Sequence, residues 1–161
     1  MLAPLLSGCH RELKAAETEY SVSITVEAKQ FATIEEPGLK KEVFDLAVTI
    51  KNDGKESVFI NCLRRNPAKD GYLASRNPYS YLYTFEQKRG EKWVGILGGI
   101  VGTSRFSRSI APGKNLTFIA PVMSPETFRG SDLRIKCWLY QNENGANQHT
   151  LHSRPFRLPE R

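Results

Sequence analysis

The chain has 161 residues, of which 23 are Lys or Arg and 17 are Asp or Glu, so its formal net charge is +6 at pH 7. This length suits one domain, and no stretch approaches the roughly 20 apolar residues that a membrane-spanning helix needs. Because the basic residues form no helical stripe and no nucleic-acid-binding motif is present, the sequence argues against DNA or RNA as a partner.

The first residues of the chain carry the motif Leu5-Leu6-Ser7-Gly8-Cys9. It resembles the lipobox of bacterial lipoproteins, in which an apolar residue and two small residues precede a cysteine that receives lipid. The resemblance implies a residual signal peptide over 1–8 and an acylated, palmitate-bearing Cys9 with more than one chain, as stable membrane anchoring requires. It also implies a cell-envelope location. The residues before the motif depart from the lipoprotein pattern. A signal peptide needs a basic start and a longer apolar run, whereas residues 1–6 are few and include no Lys or Arg.

Residues 10–19 are polar and charged, with some helical propensity. Following the lipid-bearing cysteine that the resemblance implies, they predict a lipid-anchored tether over 9–19. The folded domain is then expected over 20–161.

From Tyr20 onward, apolar and polar residues alternate with a period of two, which is typical of half-buried strands. The last of these segments contains Pro155, which limits it to an edge or a bulge. Strands are predicted near 20–26, 41–51, 58–62, 80–88, 92–96, 116–120, 133–140 and 150–158.

Turn signals separate the predicted strands at 35–38, 88–91 and 110–114. A further signal at Asn52-Asp53-Gly54-Lys55 predicts a hairpin, because Asp-Gly readily adopts positive φ.

The overall pattern is seven to nine short strands without a convincing long helix. Because βαβ alternation is absent, we expect an all-β fold, an antiparallel β-sandwich. Segments 43–60 and 110–118 resemble the immunoglobulin-like and fibronectin-III-like domains of bacterial envelope proteins, so the sandwich is expected to be immunoglobulin-like.

The chain has three cysteines, and an odd number in an exported protein needs an explanation. If Cys9 carries lipid, as the lipobox resemblance implies, Cys62 and Cys137 remain as a pair that an oxidising envelope allows to form a disulfide. Both lie on the apolar phase of a predicted strand. The alternative is two buried free thiols, which pack as small hydrophobic groups.

No pattern in the sequence indicates catalysis or metal binding. The three-residue spacing of His149 and His152 suits a helix better than a strand or loop, and no partner lies at a spacing typical of zinc sites. The nucleophile elbow and the phosphate-binding loop are missing, and the acidic residues are dispersed. We therefore expect a protein that is not an enzyme and has no metal or cofactor.

The long polar loop after the third predicted strand is the best candidate for a binding surface. Arg and Tyr side chains dominate contact energies at protein interfaces. The alternative is a solvated connection of ordinary composition. The residues expected to contact a partner are Arg64, Arg65, Tyr72, Arg76 and Tyr79.

These observations predict a cell-envelope lipoprotein whose domain binds a protein or glycan, or else a structural subunit of an envelope assembly. A further alternative is a protease inhibitor, because Asn66–Tyr72, Gly98–Gly102 and Arg154–Phe156 loosely resemble the three loops of chagasin-type inhibitors. The first segment departs from that family by an extra residue and a missing Thr-Thr pair. The third leaves only five residues before residue 161, too few for the strand that should follow.

Overall fold

A computed structural model describes residues 21–36, 38–66, 68, 75, 77–98 and 106–160. These residues form ten strands in antiparallel sheets and one short 3-10 turn at Pro125–Phe128, which confirms the predicted all-β sandwich. The strands are β1 (Val22–Glu36), β2 (Leu39–Asn52), β3 (Val58–Arg64), β4 (Tyr79–Tyr81), β5 (Tyr83–Arg89), β6 (Lys92–Gly98), β7 (Phe106–Ile110), β8 (Asn115–Met123), β9 (Leu133–Tyr140) and β10 (His149–His152).

The first sheet contains three strands in the order β1-β2-β8. β1 and β2 form a long hairpin that closes where Glu36 pairs with Leu39, and Gly38 in the turn has a φ of 78°. β1 extends ten residues beyond the predicted strand end at Val26. The period-two pattern is lost there because a bulge between Ala28 and Gln30 shifts the register.

The second sheet is built around β3 and β9, which pair with each other only at Phe59–Tyr140 and Ile60–Leu139. Beyond that point the two strands separate. β4 pairs with β3 and β5 pairs with β9, so the chain reverses direction at Leu82. β7 pairs with β3, β10 with β9 and β6 with β5.

The core lies between the two sheets. Phe118 of β8 packs between Tyr81 and Tyr83, with ring centroids 4.7 and 5.5 Å away. Val48 and Ile60, which belong to different sheets, are completely buried in the same cluster. One apolar core therefore joins both sheets, and burying each side chain of this size contributes about 1.5–3 kcal/mol.

The hairpin predicted at Asn52–Lys55 is wrong. β2 belongs to the first sheet and β3 to the second, so the connection crosses between sheets, and Gly54 does not have a positive φ. The turn at 88–91 is correct, because Arg89 pairs with Lys92 around Gly90, whose φ is 59°.

The disulfide predicted between Cys62 and Cys137 is not formed, and both are free, buried thiols. If β3 and β9 stayed paired, their register would bring the two cysteines opposite each other. Instead Cys62 pairs with Tyr81 and Cys137 with Tyr83. At least two strand spacings of about 4.8 Å then separate the thiols, beyond the roughly 7 Å Cα distance that a disulfide spans.

Candidate binding site

Three of the five predicted contact residues meet where β3 ends and β4 begins. Arg64 pairs with Tyr79 across the two strands, and the N–H of Arg65 donates to the carbonyl of Pro78 at 3.0 Å. The other two predicted residues, Tyr72 and Arg76, lie outside the described residues.

The structure adds two residues of β7 that the sequence pattern did not single out. The guanidinium of Arg108 lies 4.8 Å from the ring centroid of Tyr79 and donates to the hydroxyl of Tyr81 at 2.7 Å. Phe106 packs edge-on against Tyr79 at 5.6 Å and remains 42% exposed. The alternation of Phe106, Arg108 and Ile110 with two serines is a strand pattern that could have revealed β7.

We call this group the arginine–tyrosine patch; it consists of Arg64, Arg65, Tyr79, Tyr81, Phe106 and Arg108. Arg65 donates to the hydroxyl of Ser80 at 3.2 Å, which is a neutral partner. In the described part of the chain, no carboxylate lies within 4 Å of the three guanidinium groups. Three positive charges without a carboxylate partner among the described residues attract anions, and guanidinium groups bind carboxylate, phosphate or sulfate through paired hydrogen bonds.

The thiol beside the patch is unsuited to nucleophilic chemistry. Burial raises the pKa of Cys62 to about 11, although the positive charge of Arg108 acts in the opposite direction. Burial likewise raises the pKa of Cys137 to about 12 and increases that of Tyr81. These groups therefore stay protonated at neutral pH, and reactive cysteine chemistry needs the thiolate.

A second charged cluster lies on the outer face of the second sheet, around the buried carboxylate of Glu86. Arg134 contacts it at 2.6 Å, His152 at 3.7 Å and Lys136 at 3.9 Å. Burial and the charge of Arg134 lower the pKa of His152, against the opposing effect of Glu86.

The two cations of this cluster also stack on tryptophans. Arg134 lies 4.4 Å from the ring centroid of Trp93, and Lys136 lies 5.2 Å from that of Trp138. Because Glu86 lies within 4 Å of both cations, each has a carboxylate partner, whereas none of the described residues supplies one to the guanidinium groups of the arginine–tyrosine patch.

The two histidines considered as metal ligands do not form a site. His152 faces Glu86, whereas His149, three residues earlier on β10, points to the opposite side of the strand. Across the residues that the structure describes, no group of three or more His, Cys, Asp or Glu side chains is placed to hold a metal ion.

The protease-inhibitor pattern is only partly visible. Most of Asn66–Tyr72 and Gly98–Gly102 lies outside the described residues. Arg154–Phe156 follows β10 along β9, where Phe156 forms a bridge with Leu133. This segment lies along a sheet edge, and no strand follows it within the described residues.

Residues 1–20, which contain the lipobox-like motif with Cys9 and the predicted tether, also lie outside the described residues. In the part of the chain that is described, no helix has the length and hydropathy required to cross a membrane.

No protein-family model and no curated protein sequence matches the chain. Among solved structures, it is similar to the Northeast Structural Genomics Consortium target SoR45, with 14% identity and a TM-score of 0.49 over 87% of both chains. It is also similar to the putative ApaA protein of Bordetella pertussis, with 16% identity and a TM-score of 0.47 over 86% of this chain and 93% of that one.

A third structure, the β-glucuronidase of Bacteroides uniformis, is matched with 13% identity and a TM-score of 0.35. That match covers 86% of this chain but 14% of the β-glucuronidase. At these identities and TM-scores, none of the three similarities indicates a function.

Proposed function

We propose that this protein is a lipid-anchored, non-catalytic binding protein of the bacterial cell envelope. Its sandwich domain holds an anionic protein or glycan partner at the arginine–tyrosine patch, and Cys9 carries the lipid.

The observation that carries this proposal is the arrangement of Arg65 and Arg108. Both guanidinium groups are held by neutral hydroxyl partners and have no carboxylate within 4 Å in the described part of the chain. The exposed ring of Phe106 packs against Tyr79, the ring over which the guanidinium of Arg108 lies. Positive charge next to an exposed aromatic ring is the composition of an interface hot spot for a partner that brings the negative charge.

The binding site is tested with a sulfated polysaccharide, heparin, as the anionic probe. The double variant Arg64→Gln/Arg65→Gln is expected to bind about tenfold more weakly than the wild-type chain at 0.1 M NaCl. The reason is that each exposed ion pair contributes up to about 1 kcal/mol, and 1.4 kcal/mol corresponds to a factor of ten. Calorimetry measures both dissociation constants, and urea unfolding checks that the variant is folded.

The matched control is Lys55→Gln/Lys114→Gln. It also removes two positive charges, but both lysines are exposed and lie near the opposite end of β3. This control is expected to bind within twofold of the wild type. If the two double variants weaken binding equally, only the net charge matters and the patch is not the site.

The lipid anchor is supported by the motif Leu5–Cys9 and tested separately. When the protein is expressed from its native gene in bacteria fed alkyne-tagged palmitate, the wild type is expected to carry the label and to fractionate with membranes. Cys9→Ser is expected to lose both properties, whereas Cys62→Ala keeps the label. An unlabelled wild-type protein would refute the anchor without affecting the binding site.

A further inference from the structure

The outer edge of β1 presents unpaired backbone groups. Among the described strands, β1 pairs with β2 alone. The N–H of Asp53 donates to the carbonyl of Ser21 at 2.9 Å, so the backbone groups of Ser21, and of every second residue after it, point toward β2. Because the direction of the backbone groups alternates along a strand, the N–H and C=O groups of Ile24 and Val26 point away from β2.

A groove of about 350 Å³ lies along this edge, between Ser23–Val26 on one side and Arg154–Phe156 on the other. We call it the β1 edge groove. Consecutive side chains of a strand point to opposite faces of the sheet, so a groove on one face would contact only every second residue. Because all four residues Ser23–Val26 line this groove, it runs along the edge of the strand. The free backbone groups of Ile24 and Val26 therefore face the groove.

The opposite wall does not offer an equivalent edge. Phe156 uses both its N–H and its C=O in 2.8 Å hydrogen bonds to Leu133. Pro155, next to it, has no N–H to donate. An extended chain lying in the groove would therefore form its ladder with β1.

The other edge of the same sheet is blocked. The side-chain amide of Asn77 bonds both backbone groups of Ile119 in β8, donating to the carbonyl at 2.5 Å and accepting from the N–H at 2.8 Å. Pro121 removes another donor from that edge. Such features prevent unwanted strand pairing in natural sheets. In β1, charged residues and a bulge begin only at Glu27, so Ser23–Val26 is left open.

We propose that the β1 edge groove binds an extended segment of a partner polypeptide, which adds to the first sheet as a further strand. The inner side of the groove is apolar, with Ile24, Val26 and Phe156, whereas Ser23 and Thr25 lie on the outer side. The segment therefore alternates apolar and polar residues and lacks proline at the paired positions. This mode of recognition draws its affinity from main-chain hydrogen bonds and its specificity from alternate side chains.

The groove has β1 on one side and Arg154–Phe156 on the other, so a single extended segment can enter it. The β1 strand of a second copy is already paired with its own β2 and would have to fit this whole hairpin between the two walls, so a single segment is favoured. This site is separate from the arginine–tyrosine patch, so the proposal does not rest on the function proposed above.

The test uses the full chain and peptides selected on it from a displayed library of random heptapeptides. The selected peptides are expected to alternate apolar and polar residues. In the free chain, the amides of Ile24 and Val26 should exchange with solvent rapidly, and saturating peptide should slow them at least tenfold. The amides of Ser23 and Thr25, which already face β2, should change little. Hydrogen exchange followed by NMR measures each amide.

Val26→Pro removes the N–H that faces the groove and is expected to abolish peptide binding. Ala28→Pro is the matched control, because it lies on the same edge outside the groove and should bind normally. A second experiment uses the wild-type protein and two N-methylated forms of the peptide. Methylation of the alternate amides that face β1 should abolish binding, whereas methylation of the amides between them should preserve it. The patch variant Arg64→Gln/Arg65→Gln should bind the peptide normally.

Three results would overturn the proposal. Slow exchange of Ile24 and Val26 in the free monomer would mean that the chain's own residues fill the groove. Protection that rises with protein concentration would identify a second copy as the occupant. Selected peptides that bind Val26→Pro as well as wild type, or both N-methylated forms equally, would place binding elsewhere.

Discussion

Asn52 is a buried polar residue that connects three parts of the domain. Its side chain is completely buried and donates to the carbonyls of Glu56 at 2.7 Å and Ile110 at 2.8 Å. Its side-chain oxygen accepts from the N–H of Gly54 at 3.0 Å. The amide therefore fixes the crossing from β2 to β3 and holds it against the end of β7.

Asn52→Ala is expected to lower the free energy of unfolding by about 2–3 kcal/mol, because it leaves the carbonyl of Ile110 buried without a partner. Urea unfolding measures the change. Asn115→Ala, at an exposed position at the start of β8, is the control and should stay within about 0.5 kcal/mol of wild type. A loss below about 0.5 kcal/mol for Asn52→Ala would mean that the amide does not hold the crossing.

The arginine–tyrosine patch shows how much of a residue cluster the sequence alone can predict. Arg64, Arg65 and Tyr79 were predicted because residue type and loop position are visible in the sequence. Arg108 and Phe106 were not, since they follow the glycine-rich stretch at Gly98–Gly102 and reach the patch only through the pairing of β7 with β3. That pairing joins strands far apart in the chain, which no local pattern encodes.

At the level of elements, the β5–β6 hairpin depends on a glycine in the left-handed region. Gly90 has a φ of 59°, and apart from its two chain neighbours no described residue has an atom within 4 Å of the point that a Cβ would occupy, so its backbone conformation is what limits substitution. Gly95, in the same hairpin, has ordinary φ, and a Cβ there would make an ordinary contact with Thr84 at 3.9 Å.

Gly90→Ala is therefore expected to destabilise the domain by about 1–2 kcal/mol, the typical penalty for a left-handed residue with a Cβ. Gly95→Ala should be neutral or slightly stabilising, because glycine in a strand interior weakens it. Thermal unfolding of the two single variants compares them directly. Equal effects would contradict the conformational explanation.

Turn signals predicted the local hairpin at 88–91 but failed at Asn52–Lys55. A turn sequence specifies a change of direction, whereas the sheet that the next strand joins is decided by packing. Here the buried amide of Asn52 bonds Ile110 in the second sheet and directs the chain across the core. The turn residues could be identified from the sequence, but the sheet that the next strand joins could not.

At the scale of the whole molecule, the alternation of apolar residues was sufficient to predict an antiparallel β-sandwich. It was not sufficient to predict how β3 and β9 separate around Leu82, because strand order and register depend on contacts distant in sequence. The backbone N–H of Leu82 donates to the carbonyl of Asn61 at 2.9 Å, which holds the reversal against β3. The alternation indicates which face of a strand is buried, but it does not indicate which side chains of other strands that face contacts.

Because one core joins both sheets, the described domain is expected to unfold in a single transition. Phe118→Ala, in the first sheet, should cost about 3–5 kcal/mol, since the ring packs against Tyr81 and Tyr83 of the second sheet. Tryptophan fluorescence, which reports on the second sheet, and far-UV circular dichroism should shift together in urea.

The control for this variant is Val94→Ala, at an exposed position of β6, which should stay within about 0.5 kcal/mol of wild type. Separate transitions for fluorescence and circular dichroism in Phe118→Ala would show that the two sheets are not one cooperative unit.

The reversal at Leu82 has a consequence for biosynthesis. By keeping Cys62 and Cys137 on separate strands with tyrosines between them, it frees maturation of the domain from any oxidant or thiol-oxidoreductase. The same native conformation is therefore attainable in reducing and in oxidising surroundings alike.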